Sequence, residues 1–132
     1  MKDSWQILSV PQFEDARGTL VPFELDESFP FDVKRVYLVT GKQNVTRGAH
    51  AHIVEEEVFV CVNGRVKMTV NDKQQETDIW LDTPTKAVYV PTQCWHEFSE
   101  FSDDAILLCF SSTHYLPGEQ NYITNKQEFL KQ

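Results

Sequence analysis

Two histidines, His50 and His52, stand one residue apart in the run Arg47-Gly48-Ala49-His50-Ala51-His52. On an extended strand, side chains two apart project from the same face. The spacing therefore predicts two imidazoles aimed at one point, with Ala49 and Ala51 on the other side. Imidazole changes charge near neutral pH, so such a pair can move protons between carbon and oxygen. The same nitrogens are also good ligands for a transition metal. A third imidazole, His96, closes the run Pro91-Thr92-Gln93-Cys94-Trp95-His96, and Glu57 lies between the two histidine motifs. A lone histidine is usually an ordinary core or surface residue. Two on one inward face are hard to satisfy without a purpose. Glu57 alone reads equally well as a solvated strand end or as part of the site.

These residues must be carried by strands. Short apolar or β-branched runs recur at Trp5–Val10, 19–24, Val33–Thr40, His50–Ile53, Glu57–Val62, Arg65–Val70, Glu76–Leu81, Ala87–Val90, Trp95–Phe98 and Ala105–Ser111. Turn residues separate them about every ten positions, the pattern of an all-β sandwich or barrel. Only the tail reads helical. There, Thr124-Asn125-Lys126-Gln127 has the spacing of a capping box, with Phe129 and Leu130 as anchors. Asn63-Gly64 predicts a two-residue hairpin. That hairpin would pair Val62 with Arg65, Val60 with Lys67 and Val58 with Thr69. It turns Glu57, Phe59, Cys61, Val66, Met68 and Val70 inward. It leaves Val58, Val60 and Val62 outside, where a second sheet or a partner subunit must cover them.

The chain of 132 residues is long enough for one domain with its own core. Its net charge of −8 argues against nucleic-acid and anionic-membrane partners. No apolar run is long enough to span a bilayer, and Met1-Lys2-Asp3-Ser4-Trp5 lacks the apolar stretch of a signal peptide. Cys61, Cys94 and Cys109 are widely spaced and odd in number, which suits free thiols in a reducing cytoplasm. An anionic small molecule would need local cations, and three of the four arginines, Arg17, Arg35 and Arg47, lie in the first 50 residues.

HxH, then Glu, then a Gly turn, then Pro and His together resemble the two motifs of the cupin superfamily, a small jelly-roll barrel. Gln93 and Glu100 depart from the second motif, where a glycine and an asparagine are expected. A closer resemblance runs through Lys34-Arg35-Val36-Tyr37, Arg47-Gly48-x-His50-Ala51-His52, Val60-Cys61-Val62-Asn63-Gly64, Trp95-His96-Glu97-Phe98 and the tail Tyr115…Tyr122-Ile123…Phe129-Leu130. In order and spacing these resemble the WxcM-like, FdtA-type sugar ketoisomerases. The tail carries His114 and Gly118 where that family usually has acidic residues. The resemblance implies an all-β, cupin-like jelly-roll barrel with a short C-terminal helix, acting as a homodimer. It implies a 3,4-ketoisomerase of dTDP-4-keto-6-deoxy-D-glucose in deoxyamino-sugar biosynthesis, with no cofactor and no metal. It maps catalytic roles onto His50, His52 and Tyr37, and substrate-binding roles onto Arg17, Arg47 and His96.

The residues are compatible with three rival readings. A nucleotide-sugar epimerase would use similar proton abstraction but return the proton to the same carbon. A metal-dependent cupin dioxygenase would use His50, His52, Glu57 and His96 as ligands. A sugar-sensing barrel would bind without turnover. Spacing leaves open which of His50 and His52 is the carbon base.

Overall fold

The computed structural model describes residues 3–132; Met1 and Lys2, with which the signal-peptide expectation begins, lie outside the described residues. Alternating apolar residues form twelve short strands: β1 (Gln6–Ser9), β2 (Phe13–Asp15), β3 (Gly18–Leu20), β4 (Arg35–Val39), β5 (Arg47–His52), β6 (Glu57–Asn63), β7 (Val66–Asn71), β8 (Glu76–Leu81), β9 (Lys86–Val90), β10 (Trp95–Ser99), β11 (Ile106–Ser111) and β12 (Tyr122–Ile123). One helix, α1 (Lys126–Lys131), closes the chain. Ten of the strands form two facing five-stranded sheets, ordered β1-β9-β6-β11-β4 and β12-β5-β10-β7-β8. All their pairings are antiparallel. This is the expected jelly-roll barrel. Strands β2 and β3 pair only with each other.

The core lies between the sheets. Phe59 and Cys61 of one sheet meet Val66, Met68, Val70 and Phe98 of the other, all nearly out of contact with water. This is the inward face expected from the sequence, but the hairpin expected at Asn63-Gly64 does not form. β6 pairs with β9 and β11, and β7 pairs with β8 and β10, so the turn is an arch between sheets. Gly64 takes φ +68, and a Cβ there would stand 2.9 Å from the Ala105 backbone. The 102–105 loop clasps the arch: Asn63 Nδ2 donates to the Asp104 carbonyl at 2.8 Å, and the Arg65 amide to Ser102 Oγ at 2.9 Å. Hairpin and arch bury the same parity of residues, so the face was legible and the pairing was not.

The outer valines are also covered differently from expectation. Val58 and Val60 are buried within the chain itself, packed with Tyr89 and Phe110 beneath Phe23, Phe29 and Phe31 of the N-terminal segment. The uncovered apolar side chains of this sheet lie further along it, at Val36 and Leu38 of β4. On the opposite sheet, α1 covers Trp95 and Ala51 with Phe129. Its N-cap is Asn125, whose side chain accepts from the Glu128 amide at 3.0 Å, one residue beyond the expected Thr124. Of the two expected anchors only Phe129 is buried; Leu130 is exposed. All three cysteines are free and buried. No helix among the described residues is long and apolar enough to cross a membrane.

Candidate active site

Strands β5 and β10 bring the three histidines together. His96 pairs directly with His50 across the two strands. The ring centroids of His50 and His52 are 4.5 Å apart, those of His50 and His96 4.9 Å, and those of His52 and His96 5.4 Å. All three point into the barrel, where Phe59 and Phe98 pack against the His96 ring. A cavity of about 230 Å³ opens beside them, lined by Tyr37, Val39, Arg47, His50, His96 and Leu107 among others.

Arg47 reaches this cavity because of a bulge. The register of β10 on β5 slips between His96 and Phe98, so that Phe98 faces Arg47 instead of Gly48. Gly48 takes φ +63, a backbone conformation that suits glycine, and a side chain there would press on Phe98 at 3.2 Å. A bulge re-aims a side chain by one position. Strict alternation would have left Arg47 outside with Ala49. Its Nη1 donates to the Thr40 carbonyl at 2.9 Å.

Glu57 enters from β6 of the facing sheet. Its carboxylate is 1% exposed and so belongs to the site, not to a solvated strand end. Oε1 stands 2.5 Å from His52 Nε2 and 3.4 Å from His96 Nε2. Oε2 accepts a hydrogen bond from the Tyr37 hydroxyl at 2.5 Å. No histidine N–H is well aligned on Oε1, and both His96 nitrogens lack an aligned partner.

The environment separates the two strand-mates. Burial, followed by the neighbouring His96 and His52, pulls His50 down to about 3, so it is neutral at physiological pH. For His52, burial acts in the same direction, but the adjacent Glu57 carboxylate and the charge of Glu55 outweigh it and raise its pKa. Glu57 is the counterpart: burial opposes its charge, yet the close His52 and His96 rings hold it well below the usual carboxylate range. Burial, then the Glu57 charge, push the Tyr37 hydroxyl far above its ordinary value. A His50 ring held neutral therefore sits beside a His52 ring whose charged form is favoured by two carboxylates, with Nε2 atoms 3.1 Å apart.

His50, His52, Glu57 and His96 are also a chemically reasonable metal donor set, with donor atoms within 4.8 Å of one another. Two ligands of a tetrahedral zinc stand roughly 3.3 Å apart, given bonds near 2.0 Å. The 2.5 Å between His52 Nε2 and Glu57 Oε1 is shorter than that.

Arg17 is the expected residue that the single chain does not bring to the site. It lies at the turn of the β2–β3 hairpin, paired with Asp15 at 2.6 Å, and its side chain is 90% exposed. Conversely, Glu55, Arg35 and Tyr122 border the histidines without having been singled out. Tyr122 pairs with His52 across β12 and β5, and its ring centroid lies 5.1 Å from that of His52 and 5.3 Å from that of His50. In the sequence, Glu55 is one of three consecutive glutamates, a run that ordinarily marks a solvated turn.

The sequence family described as FdtA: WxcM-like, C-terminal matches residues 3–132. TDP-4-oxo-6-deoxy-alpha-D-glucose-3,4-oxoisomerase of Aneurinibacillus thermoaerophilus is 35% identical over 127 residues, covering 96% of this chain and 90% of that protein. The fold is that of the WlaRB TDP-quinovose 3,4-ketoisomerase from Campylobacter jejuni, at a TM-score of 0.88 and 33% identity over 99% of this chain and 100% of that one. It is equally that of QdtA, a sugar 3,4-ketoisomerase from Thermoanaerobacterium thermosaccharolyticum solved with TDP. There the TM-score is 0.89 at 30% identity, covering 99% of this chain and 95% of that one.

Proposed function

The chain belongs to the FdtA, WxcM-like C-terminal family, and we propose that it is a sugar 3,4-ketoisomerase acting on dTDP-4-keto-6-deoxy-D-glucose in deoxysugar biosynthesis. The observation that carries this reading is the pair on one strand face, His50 and His52 with Nε2 atoms 3.1 Å apart, and Glu57 against His52 alone of the two. Moving a ketone from C4 to C3 takes a base and an acid in reach of adjacent carbons, and no redox step.

His50 is the carbon base in this reading, because a neutral imidazole has a lone pair to offer. It takes the C3 hydrogen as a proton, the C3–H electrons form C3=C4, and the C4 oxygen is protonated from the His52 side. The enediol then loses the proton of its C3 hydroxyl as C3=O forms, and C4 receives a proton. The sum formula is unchanged. Tyr37 has its hydroxyl proton engaged by Glu57, so it acts by holding that carboxylate against His52. His96, buried with neither nitrogen aligned in a hydrogen bond, suits a sugar hydroxyl, since such atoms are costly without a ligand. Arg47, at the rim of the cavity, suits the diphosphate. No metal enters these steps, and the reaction runs in the cytoplasm where nucleotide sugars are made.

The homodimer is part of the same proposal. Phe13 and Leu20 on the detached β2–β3 hairpin are exposed, as are Val36 and Leu38 on β4. An apolar arm and an apolar sheet face on one molecule suit a second copy. Arg17 at the arm's turn then reaches a diphosphate only in the neighbouring subunit. NMR of the product formed from dTDP-4-keto-6-deoxy-D-glucose tests the reading. The expected outcome is a C3 ketone; a 4-keto product inverted at C3 or C5 would make the enzyme an epimerase, and unchanged sugar would leave a binding protein.

A further inference from the structure

His52 has a carboxylate on each side of its ring. Glu57 takes Nε2, while Glu55 Oε1 stands 3.5 Å from Nδ1. Glu55 comes from the turn between β5 and β6 and is 2% exposed. Burial and the Glu57 charge push the Glu55 carboxyl up, so its charge depends on the groups that pair its oxygens. Here Ser111 Oγ donates to Oε2 at 2.7 Å and Arg35 Nη2 lies 3.4 Å from the same oxygen. Arg35 is itself braced on the Tyr37 ring, 4.6 Å from the centroid, with the Tyr115 ring at 5.7 Å.

We propose that Glu55 is a positioning residue for the isomerisation: its carboxyl stands at Nδ1 of His52, so that the ring presents Nε2 to Glu57 and His50. A neutral imidazole has one N–H and can satisfy only one acceptor. Acceptors at both nitrogens select the doubly protonated ring and remove the alternative tautomer. The charged and titratable groups facing His52 are His50 from its own strand, Glu57 from β6 with Tyr37 hydrogen-bonded to it, His96 from β10, Tyr122 from β12, Arg35 from β4, and Glu55 itself. Of these only the two glutamates favour the charged ring, and Arg35 opposes it. Ser111 and Arg35 keep Glu55 anchored without touching His52 in its place.

This inference rests on the proposed isomerase function, but it can be read without substrate. Glu55→Gln keeps the shape and removes the charge. In the ¹⁵N-labelled variant, the His52 ring nitrogens should lose their second proton at lower pH than in wild type. With substrate, kcat should fall roughly 10–100-fold, the usual effect of a partner that orients a functional histidine. KM should change little, and the alkaline limb of the kcat profile should move to lower pH. Glu55→Asp should restore the limb part of the way. Should Glu55→Gln fail to fold, Ser111→Ala loosens the same carboxylate and should shift the same limb downward. A His52 titration and limb unmoved in a folded variant, with only Tm lowered, would reduce Glu55 to a structural tie and overturn the proposal. Absence of isomerase turnover in wild type, with the His52 shift intact, would instead count against the reaction assigned above.

Discussion

His52 Nε2 stands 2.5 Å from Glu57 Oε1 in the barrel interior, and both side chains are almost completely shielded from water. Neither charge is tolerable there alone. Removing one member of a buried pair typically costs about 3–5 kcal/mol, because the other is left uncompensated. Glu57→Gln should therefore lower stability by roughly that amount, read from denaturant unfolding. It should also lower turnover by more than the stability loss explains at temperatures where the variant is folded. A variant as stable and as active as wild type would mean that the contact is incidental.

The unlike shifts of the two histidines set the pH behaviour. With His50 held at about 3, the base stays neutral far below pH 6, so kcat should be flat across a range where an ordinary histidine base would already be protonated. His52 is raised, so the acid is lost as pH climbs above about 6.5 and through its folded value. For stability the signs follow the same shifts. Between about pH 3 and 6.5 the unfolded chain binds the His50 proton and the native one does not, so this site makes stability rise with pH. The His52 contribution is full below about 6.5 and is lost above it. A kcat profile with an acid limb near 6.5 would contradict the burial of His50.

Much of this site was legible because it depends on local parity. HxH on a strand must share a face, and the β6 residues Phe59 and Cys61 had to point inward whichever strand followed. What was hidden depends on longer range. Asn63-Gly64 has the local chemistry of a hairpin, and only competition from β9, β11, β8 and β10 for the same edges makes it an arch. The Gly48 bulge that turns Arg47 inward has no signature beyond a glycine. Glu55 lies in an acidic run whose bland reading is solvent, and its burial follows from Ser111 and Arg35, both remote in sequence.

The covering of Val58 and Val60 by the chain's own phenylalanines leaves Val36 and Leu38 as the exposed apolar residues that the proposed homodimer would bury. Leu38→Asp should weaken self-association in sedimentation velocity while leaving the monomer folded, since Leu38 is 64% exposed. Val60→Lys should instead damage the fold by burying an unpaired charge. An unaltered dimer in Leu38→Asp would place the interface elsewhere.

The proposed proton transfers need no metal. Turnover should survive exhaustive dialysis against a strong chelator, with metal content checked on the same sample. Activity lost on chelation and regained with one divalent ion would convert His50, His52, Glu57 and His96 from a proton relay into a ligand set.

The division of labour between the histidines gives the last test. Asparagine keeps hydrogen-bonding ability but has no nitrogen that is basic near neutral pH. His50→Asn removes the carbon base, so turnover should fall by at least the ~10²–10⁴-fold typical of general acid–base catalysis, with folding nearly unchanged because no buried ion pair is lost. His52→Asn should lose turnover on a similar scale, but it also strands Glu57 and Glu55, so its Tm should drop as well. The two variants thus differ in stability more than in rate. Deuterated water separates their roles further: residual C3 hydrogen exchange in the substrate should persist in His52→Asn, where the base remains, and vanish in His50→Asn. The reverse pattern would exchange the roles of the two residues. Near-wild-type turnover in both would take the pair out of the mechanism and leave His96 and Glu57 as the groups able to move a proton.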